Sequence, residues 1–215
     1  MRYGHIIFDL DGTLLDTSPG ILDSIEYTIN EMGLNKKSRK ILKIHIGPPI
    51  KDLFMQLFDV EDEMAEEAVR VFRKHYSEYR ILYAKPYAGM YDFCKKSKEK
   101  ATILSVASNK PEQYVLQLIK HFRLEEYFNS VHGADVRGFL KKRNIIQMCV
   151  DEVGIETNRC VYIGDTQGDL RESSILKMDF IGARWGFGFT DDNVGEMKGL
   201  TFATSFEELE NNIYG

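Results

Sequence analysis

Tyr3-Gly4-His5-Ile6-Ile7-Phe8-Asp9-Leu10-Asp11-Gly12-Thr13-Leu14-Leu15-Asp16 is the stretch on which the reading of this chain turns. Tyr3 to Phe8 is a short apolar run stopped by acid and glycine, the pattern of a buried parallel strand ending in a tight loop. Residues i and i+2 of an extended segment point the same way, so Asp9 and Asp11 face one site. Two carboxylates held that close repel each other, and a bound cation or a shared proton relieves the repulsion. Gly12 permits a sharp turn that brings backbone amides toward a ligand, and Thr13 adds a hydroxyl donor. In open α/β sheets such a strand end opens on the crevice where ligands bind.

Similar apolar runs recur at Ala101–Ala107, Arg159–Ile163 and Asp179–Ala183, with a weaker one at Ser130–Ala134. Helical patterns separate them. Ile145, Ile146, Cys149, Val150 and Val153 mark one helix face ended by Gly154. Val115, Leu118, Ile119 and Phe122 mark another, with Pro111 in its first turn. Strands alternating with helices predict an α/β fold, a Rossmann-like parallel sheet with helices on both faces. Residues 18–84 break the alternation, because they carry helical patterns and no strand. Ile21, Ile25, Ile29 and Met32 step along one helix closed by Gly33. Gly47-Pro48-Pro49 starts a short helix with Leu53, Phe54 and Leu57. Met64, Ala68, Val71, Phe72, His75 and Tyr79 mark a longer one. A crossover usually needs only one helix, so this block reads as an inserted α-helical cap domain over 18–84. The core is then 1–17 and 85–215, rejoined at Lys85-Pro86-Tyr87-Ala88-Gly89.

Composition narrows the function. The 215 residues carry 28 Lys+Arg against 33 Asp+Glu, a net charge of −5, which excludes a whole-domain basic surface for a nucleic acid polymer. Mean hydropathy of −0.31 and the lack of a long apolar run predict a protein that works without a membrane. Cys94, Cys149 and Cys160 are widely spaced and odd in number, as expected of buried reduced thiols in a cytoplasmic protein.

Four motifs in order resemble those of the haloacid dehalogenase superfamily. Asp9-x-Asp11-Gly12-Thr13 resembles the first, and Ser108-Asn109-Lys110-Pro111 the second. Lys142, ahead of the Ile145 helix, resembles the lysine of the third, and Gly164-Asp165-Thr166-Gln167-Gly168-Asp169 the fourth. The helical block between the first two resembles the cap of the subgroup that includes phosphoglycolate phosphatases. The resemblance implies a Mg²⁺-dependent phosphatase of small phosphorylated metabolites, acting through an aspartyl-phosphate, as a monomer or weak homodimer. A 5′-nucleotidase-like or sugar-phosphate phosphatase is the alternative within the superfamily, and a phosphomutase is a more distant one.

The roles that the resemblance implies make chemical sense. Asp9 is the nucleophile, and Asp11 the general acid and later the base. Asp165, an Asp9 oxygen and the Asp11 backbone carbonyl hold Mg²⁺, with Asp169 either a further ligand or a supporting partner. Ser108, with the Gly12 and Asn109 region, donates to phosphate oxygens, and Lys142 supplies fixed positive charge. Relatives place that lysine three residues before the apolar pair, which favours Lys142 over Lys141. Ser105 lies inside an apolar run and reads as a strand residue. Lys110 reads as a surface lysine at the start of a helix. His5, His45, His75, His121 and His132 form no ligand spacing, and His45 alone lies in a cap segment that could reach substrate. Gly186-Phe187-Gly188 is too weak for a phosphate loop and resembles the family's late loop.

Two features adjust this picture. Many relatives have Lys-Pro at the third motif, whereas this chain has Lys142-Arg143-Asn144. That variant resembles a branch containing both phosphoglycolate phosphatases and 5′-nucleotidases. Asp11 argues against a dehalogenase, which lacks the second aspartate. The combination of Asp11 with an inserted cap argues against a non-catalytic receiver domain on a similar sheet.

Overall fold

The computed structural model describes residues 2–215 except 45, 48, 136–138, 191–193, 195, 196 and 198. Its strands in chain order are β1 (His5–Phe8), β2 (Leu15–Asp16), β3 (Lys85–Pro86), β4 (Ile103–Pro111), β5 (Ser130–Ala134), β6 (Cys160–Gly164), β7 (Asp179–Ala183) and β8 (Thr201–Ala203). The helices are α1 (Ser18–Glu31), α2 (Arg39–Ile44), α3 (Ile50–Phe58), α4 (Asp62–His75), α5 (Met90–Glu99), α6 (Glu112–His121), α7 (Lys142–Val153), α8 (Gln167–Ile175) and α9 (Phe206–Tyr214). Six strands form one parallel sheet in the order β5-β4-β1-β6-β7-β8. The chain runs outward from β1 to β5, then crosses to β6 on the other side. The C-terminal end of β1 therefore lies at the topological switch point.

Alternation along β1 sorts the two cores. Ile6 and Phe8 pack with α5, α6 and α9 through Phe93, Val115, Leu118 and Phe206. Ile7 packs on the opposite face with Ile145, Ile146, Cys149 and Val150 of α7. All four β1 residues are buried, as expected of a central parallel strand. The Rossmann-like α/β expectation holds. Among the described residues no helix is long and apolar enough to cross a membrane, and all three cysteines are buried and free.

Helices α1 to α4 fill the interval between β2 and β3, and α4 runs on into a π-helical turn, Tyr76–Arg80. Helices α1 and α3 pack on α4, and the buried side chains of this block run on into the same apolar cluster as the α5–α6–α9 face of the sheet. The buried face of α4 matches the expected one only in part. Ala65, Ala68, Val69, Phe72 and Tyr76 are buried, whereas Met64 and Tyr79 are about half or more exposed (49% and 60%). Ala68 and Phe72 belong to the expected stripe, whereas Ala65, Val69 and Tyr76 do not. The ribbon β2–β3, two residues on each side, also escaped the sequence reading. So did β8, whose Thr201-Phe202-Ala203 has too little apolar content to stand out. Pro111 closes β4 and caps α6 instead of entering its first turn. His45 and Pro48, both singled out above, lie outside the described residues.

Candidate active site

The ladder that holds β1 continues one step past it, because the Asp9 N–H donates to the Ile163 carbonyl at 2.8 Å. Asp9 is thus fixed at the strand end with its side chain 8% exposed. The chain then turns back on itself, with the Thr13, Leu14 and Leu15 amides all donating to the Leu10 carbonyl. Gly12 makes the turn with φ +83°, and a Cβ there would lie 2.2 Å from Asp165 Oδ2. Its own N–H donates to the Leu15 carbonyl. Within the described chain, the Leu10 and Asp11 amides make no hydrogen bond.

A bulge in β4 aims the second group of residues. The pairing of β4 with β5 shifts register between Ala107 and Pro111, which frees residues 108–110 from regular alternation. Ser108 is buried, and its Oγ accepts from the Lys110 N–H. Ser105 stays in the strand, where its hydroxyl lies 2.7 Å from His5 Nε2. Lys110 corrects the expectation of a surface lysine. It is 8% exposed, and its Nζ lies 3.0 and 3.1 Å from the two carboxylate oxygens of Asp11.

Lys142 begins α7 and is buried, whereas Lys141 is exposed. Its Nζ donates to Asp9 Oδ1 at 2.7 Å and lies 3.1 Å from Asp169 Oδ1. The other Asp169 oxygen closes a capping box with the Thr166 N–H and hydroxyl, which starts α8. Both Asp169 oxygens therefore already accept hydrogen bonds from protein donors or pair with Lys142. Asp165 is fully buried. Its Oδ2 accepts the Phe187 N–H at 2.7 Å.

The sequence reading passed over that last contact. A Cβ at Gly186 would meet Asp165 Cβ at 2.3 Å, and one at Gly188 would meet the Asp165 carbonyl at 2.8 Å. The two glycines let the loop after β7 wrap the aspartate. A pair of glycines around an aromatic just past a predicted strand was the available signal. Among the histidines, His5 is buried against Ser105, and burial lowers it to about 4. His75 stacks on Tyr27, and His132 pairs with Glu152.

Carboxylate oxygens of Asp9, Asp165 and Asp169 lie within 4.8 Å of one another. Burial pushes Asp9 up to about 7, with Lys142 opposing it and the charges of Asp169 and Asp11 adding to it. Burial also holds Asp165 well above its ordinary range, and Asp169 and Asp9 reinforce the shift. Burial works against the Lys142 ammonium, but Asp169 and Asp9 more than reverse it, and the lysine stays raised. One lysine among three buried carboxylates leaves an uncompensated negative centre made wholly of hard oxygen donors. Such a centre fits Mg²⁺.

A cavity of about 600 Å³ opens above Asp9. Asp9, Asp11, Ser108, Asn109 and Lys110 line its floor, and Ile46, Leu53, Val69, Phe72 and Tyr76 come from the helical block. Asp165, Asp169 and Lys142 stand behind Asp9 and not on the cavity wall.

The family model for haloacid dehalogenase-like hydrolases matches residues 6–183. The chain belongs to that family. It is 31% identical over 183 residues to a phosphoglycolate phosphatase from Aquifex aeolicus, with 85% of each chain covered. It is 29% identical over 193 residues to a 5′-nucleotidase from Pseudomonas aeruginosa, covering 89% of this chain and 87% of that one. A predicted phosphatase from Clostridium acetobutylicum superposes with a TM-score of 0.91 over 98% of each chain, at 28% identity.

In this haloacid dehalogenase-like hydrolase the acidic cluster gives a prediction independent of turnover. A buried carboxylate that resists ionisation in the fold destabilises it when ionised at neutral pH, since the unfolded chain gives that charge water. Asp165→Asn should raise the Tm of metal-free protein by roughly 3 °C or more. Millimolar Mg²⁺ should raise the wild-type Tm and leave the variant unmoved. Calorimetry of both proteins, with EDTA and with Mg²⁺, reads the result. An equal Mg²⁺ shift in the two would show that Asp165 holds no metal ion.

Proposed function

We propose that the protein is a cytoplasmic, Mg²⁺-dependent phosphatase of small phosphomonoesters that works through an aspartyl-phosphate on Asp9. The observation that carries this reading is the meeting of Asp9, Asp11 and Ser108 on one cavity floor, with Lys142, Asp165 and Asp169 directly behind. Asp9 Oδ attacks phosphorus while the ester oxygen leaves. Asp11 gives that oxygen its proton and later takes one from the water that hydrolyses the acyl phosphate. The Ser108 hydroxyl, the Asn109 region and the amides beside Gly12 receive the phosphate oxygens. Lys142 holds Asp9 in line and sets its positive charge next to the reacting carboxylate. Asp9, the Asp11 carbonyl and Asp165 would hold Mg²⁺, with Asp169 orienting Lys142. Bound there, the ion supplies positive charge that offsets repulsion between an anionic nucleophile and an anionic ester.

Residues 18–84 act in this reading as a cap on a core made of 1–17 and 85–215. A roof of α3 and α4 side chains excludes water and admits small soluble esters while obstructing a phosphorylated side chain on a folded protein. Phosphoglycolate is the substrate suggested by the motifs. The cavity supports a second reading. About 600 Å³ with Ile21, Val69, Phe72 and Tyr114 on its wall exceeds what a two-carbon acid fills and suits a nucleoside monophosphate.

A screen of phosphorylated metabolites at matched concentration, with Mg²⁺ and with EDTA, tests the whole reading. Activity should require the metal, and the best kcat/KM should fall on a phosphoglycolate-like ester or a nucleoside monophosphate. Exclusive turnover of phosphoproteins, or full activity in EDTA, would sink it.

A further inference from the structure

Lys110 is a buried cation that the proposed mechanism leaves without a task. It stands on the β4 bulge, and its ammonium reaches both Asp11 oxygens, at 3.0 and 3.1 Å. An ammonium centred on both oxygens fixes the rotation of a carboxylate as well as its place. On its other side the ammonium lies 4.9 Å from the centroid of the Tyr76 ring, a cation–π distance. Tyr76 belongs to the π-helical turn that ends α4 and is 2% exposed. Its ring stacks on Phe72 at 5.5 Å and meets Tyr114 edge-on at 5.9 Å. The Tyr76 hydroxyl makes no hydrogen bond among the described residues, and both it and the ring lie close enough to the Lys110 ammonium to interact with it. π-helical turns recur at functional sites. A single line of contacts thus runs from the helical block through Tyr76 and Lys110 to Asp11.

We propose that Lys110 is a positioning residue for Asp11, and that Tyr76 makes the positioning depend on the helical block being in place. The proposal rests on the reading of Asp11 as general acid. It gives the block a second task beyond covering the cavity: Asp11 is fully aligned only when α4 is seated.

Leaving-group dependence separates positioning from mere structural support. An alkyl oxygen needs a proton as it departs, whereas p-nitrophenolate leaves without one. Loss of acid alignment therefore damages kcat/KM for an alkyl ester and spares p-nitrophenyl phosphate. Lys110→Met should lower kcat/KM for an alkyl phosphate such as phosphoglycolate or a nucleoside monophosphate by about tenfold or more, and for p-nitrophenyl phosphate by less than about threefold. Tyr76→Leu should show the same split in weaker form, and Tyr76→Phe, which keeps the ring, should behave nearly as wild type on both esters. Asp11→Asn is the reference and should give the largest split. Thermal unfolding establishes that each variant is folded, and the Tyr76 pair tests the same line of contacts if Lys110→Met does not fold.

Equal losses on both esters in the Lys110 or Tyr76 variants, with the split intact in Asp11→Asn, would overturn the proposal alone. Absence of the split in Asp11→Asn would overturn the acid assignment and the proposal with it.

Discussion

Asp9→Asn protein will fold as the wild type does and turn over phosphomonoesters slower by about 10⁴-fold or more. Asp9 is the one group in the proposed mechanism that bonds to phosphorus, and an amide is no substitute as a nucleophile. The amide fills the same space and keeps an oxygen for the Lys142 ammonium, which sits 2.7 Å from Asp9 Oδ1. Burial already drives the Asp9 carboxyl up to about 7 against the pull of Lys142. Exchanging it for a neutral group removes no strongly stabilising charge, so Tm should move by only about a few degrees. Steady-state kinetics on p-nitrophenyl phosphate and the best metabolite, with calorimetry alongside, measure both halves. Beryllium fluoride, a mimic of the acyl phosphate, should inhibit wild type and have nothing to bond to in the variant. Near wild-type turnover by folded, contaminant-free Asp9→Asn would remove the covalent step.

What the sequence made legible follows from where its signals are local. Strands β1, β6 and β7 announce themselves because a sheet covered on both faces demands unbroken apolar runs. The helices announce themselves through periodicity and glycine stops such as Gly154, whose φ of +73° ends α7. Lys142 was separable from Lys141 only through the resemblance, which places the lysine three residues before the apolar pair that begins at Ile145. Contacts that depend on tertiary approach were not legible. Lys110 sits among polar residues before a proline, and only the bulge that turns residues 108–110 inward reveals its pairing with Asp11. Phe187 lies 22 residues beyond Asp165, and nothing local says that its amide reaches that carboxylate. The buried stripe of α4 was only partly legible for a related reason: Ala68 and Phe72 were picked out, but small Ala65 is buried by its neighbours, which composition cannot show.

The electrostatics of the cluster explain why one cation behind Asp9 matters so much. Asp9, Asp165 and Asp169 bring three carboxylates into a space 4.8 Å across, and the nearest protein countercharge is the Lys142 ammonium. A phosphate ester adds further negative charge to the same place. Attraction in a water-poor site is far stronger than at the surface, and the proposed mechanism uses this lysine before and during the reaction.

Lys142→Ala should therefore lower kcat/KM by about 10²- to 10³-fold, the range for removing one preorganised charge or donor from a transition state. It should also destabilise the metal-free fold by about 3–5 kcal/mol, because a buried ion pair that loses one partner leaves uncompensated charge behind. Added Mg²⁺ should recover part of the stability but not the rate, since a cation held by the carboxylates offsets their charge without replacing the ammonium that Asp9 Oδ1 accepts from. Lys142→Met, which keeps the apolar stem, should fold better than the alanine variant and be as impaired in turnover. Lys141, exposed at the N-cap of α7, has no such neighbours, and Lys141→Ala should alter kcat/KM by no more than about twofold. Parallel kinetics and urea unfolding of the three variants measure this. A larger rate defect in Lys141→Ala, or a Lys142→Met enzyme with wild-type kcat/KM, would place the phosphate's countercharge elsewhere. Lys110 would then be the next buried lysine to test, since it is the other ammonium held within reach of the acidic pair.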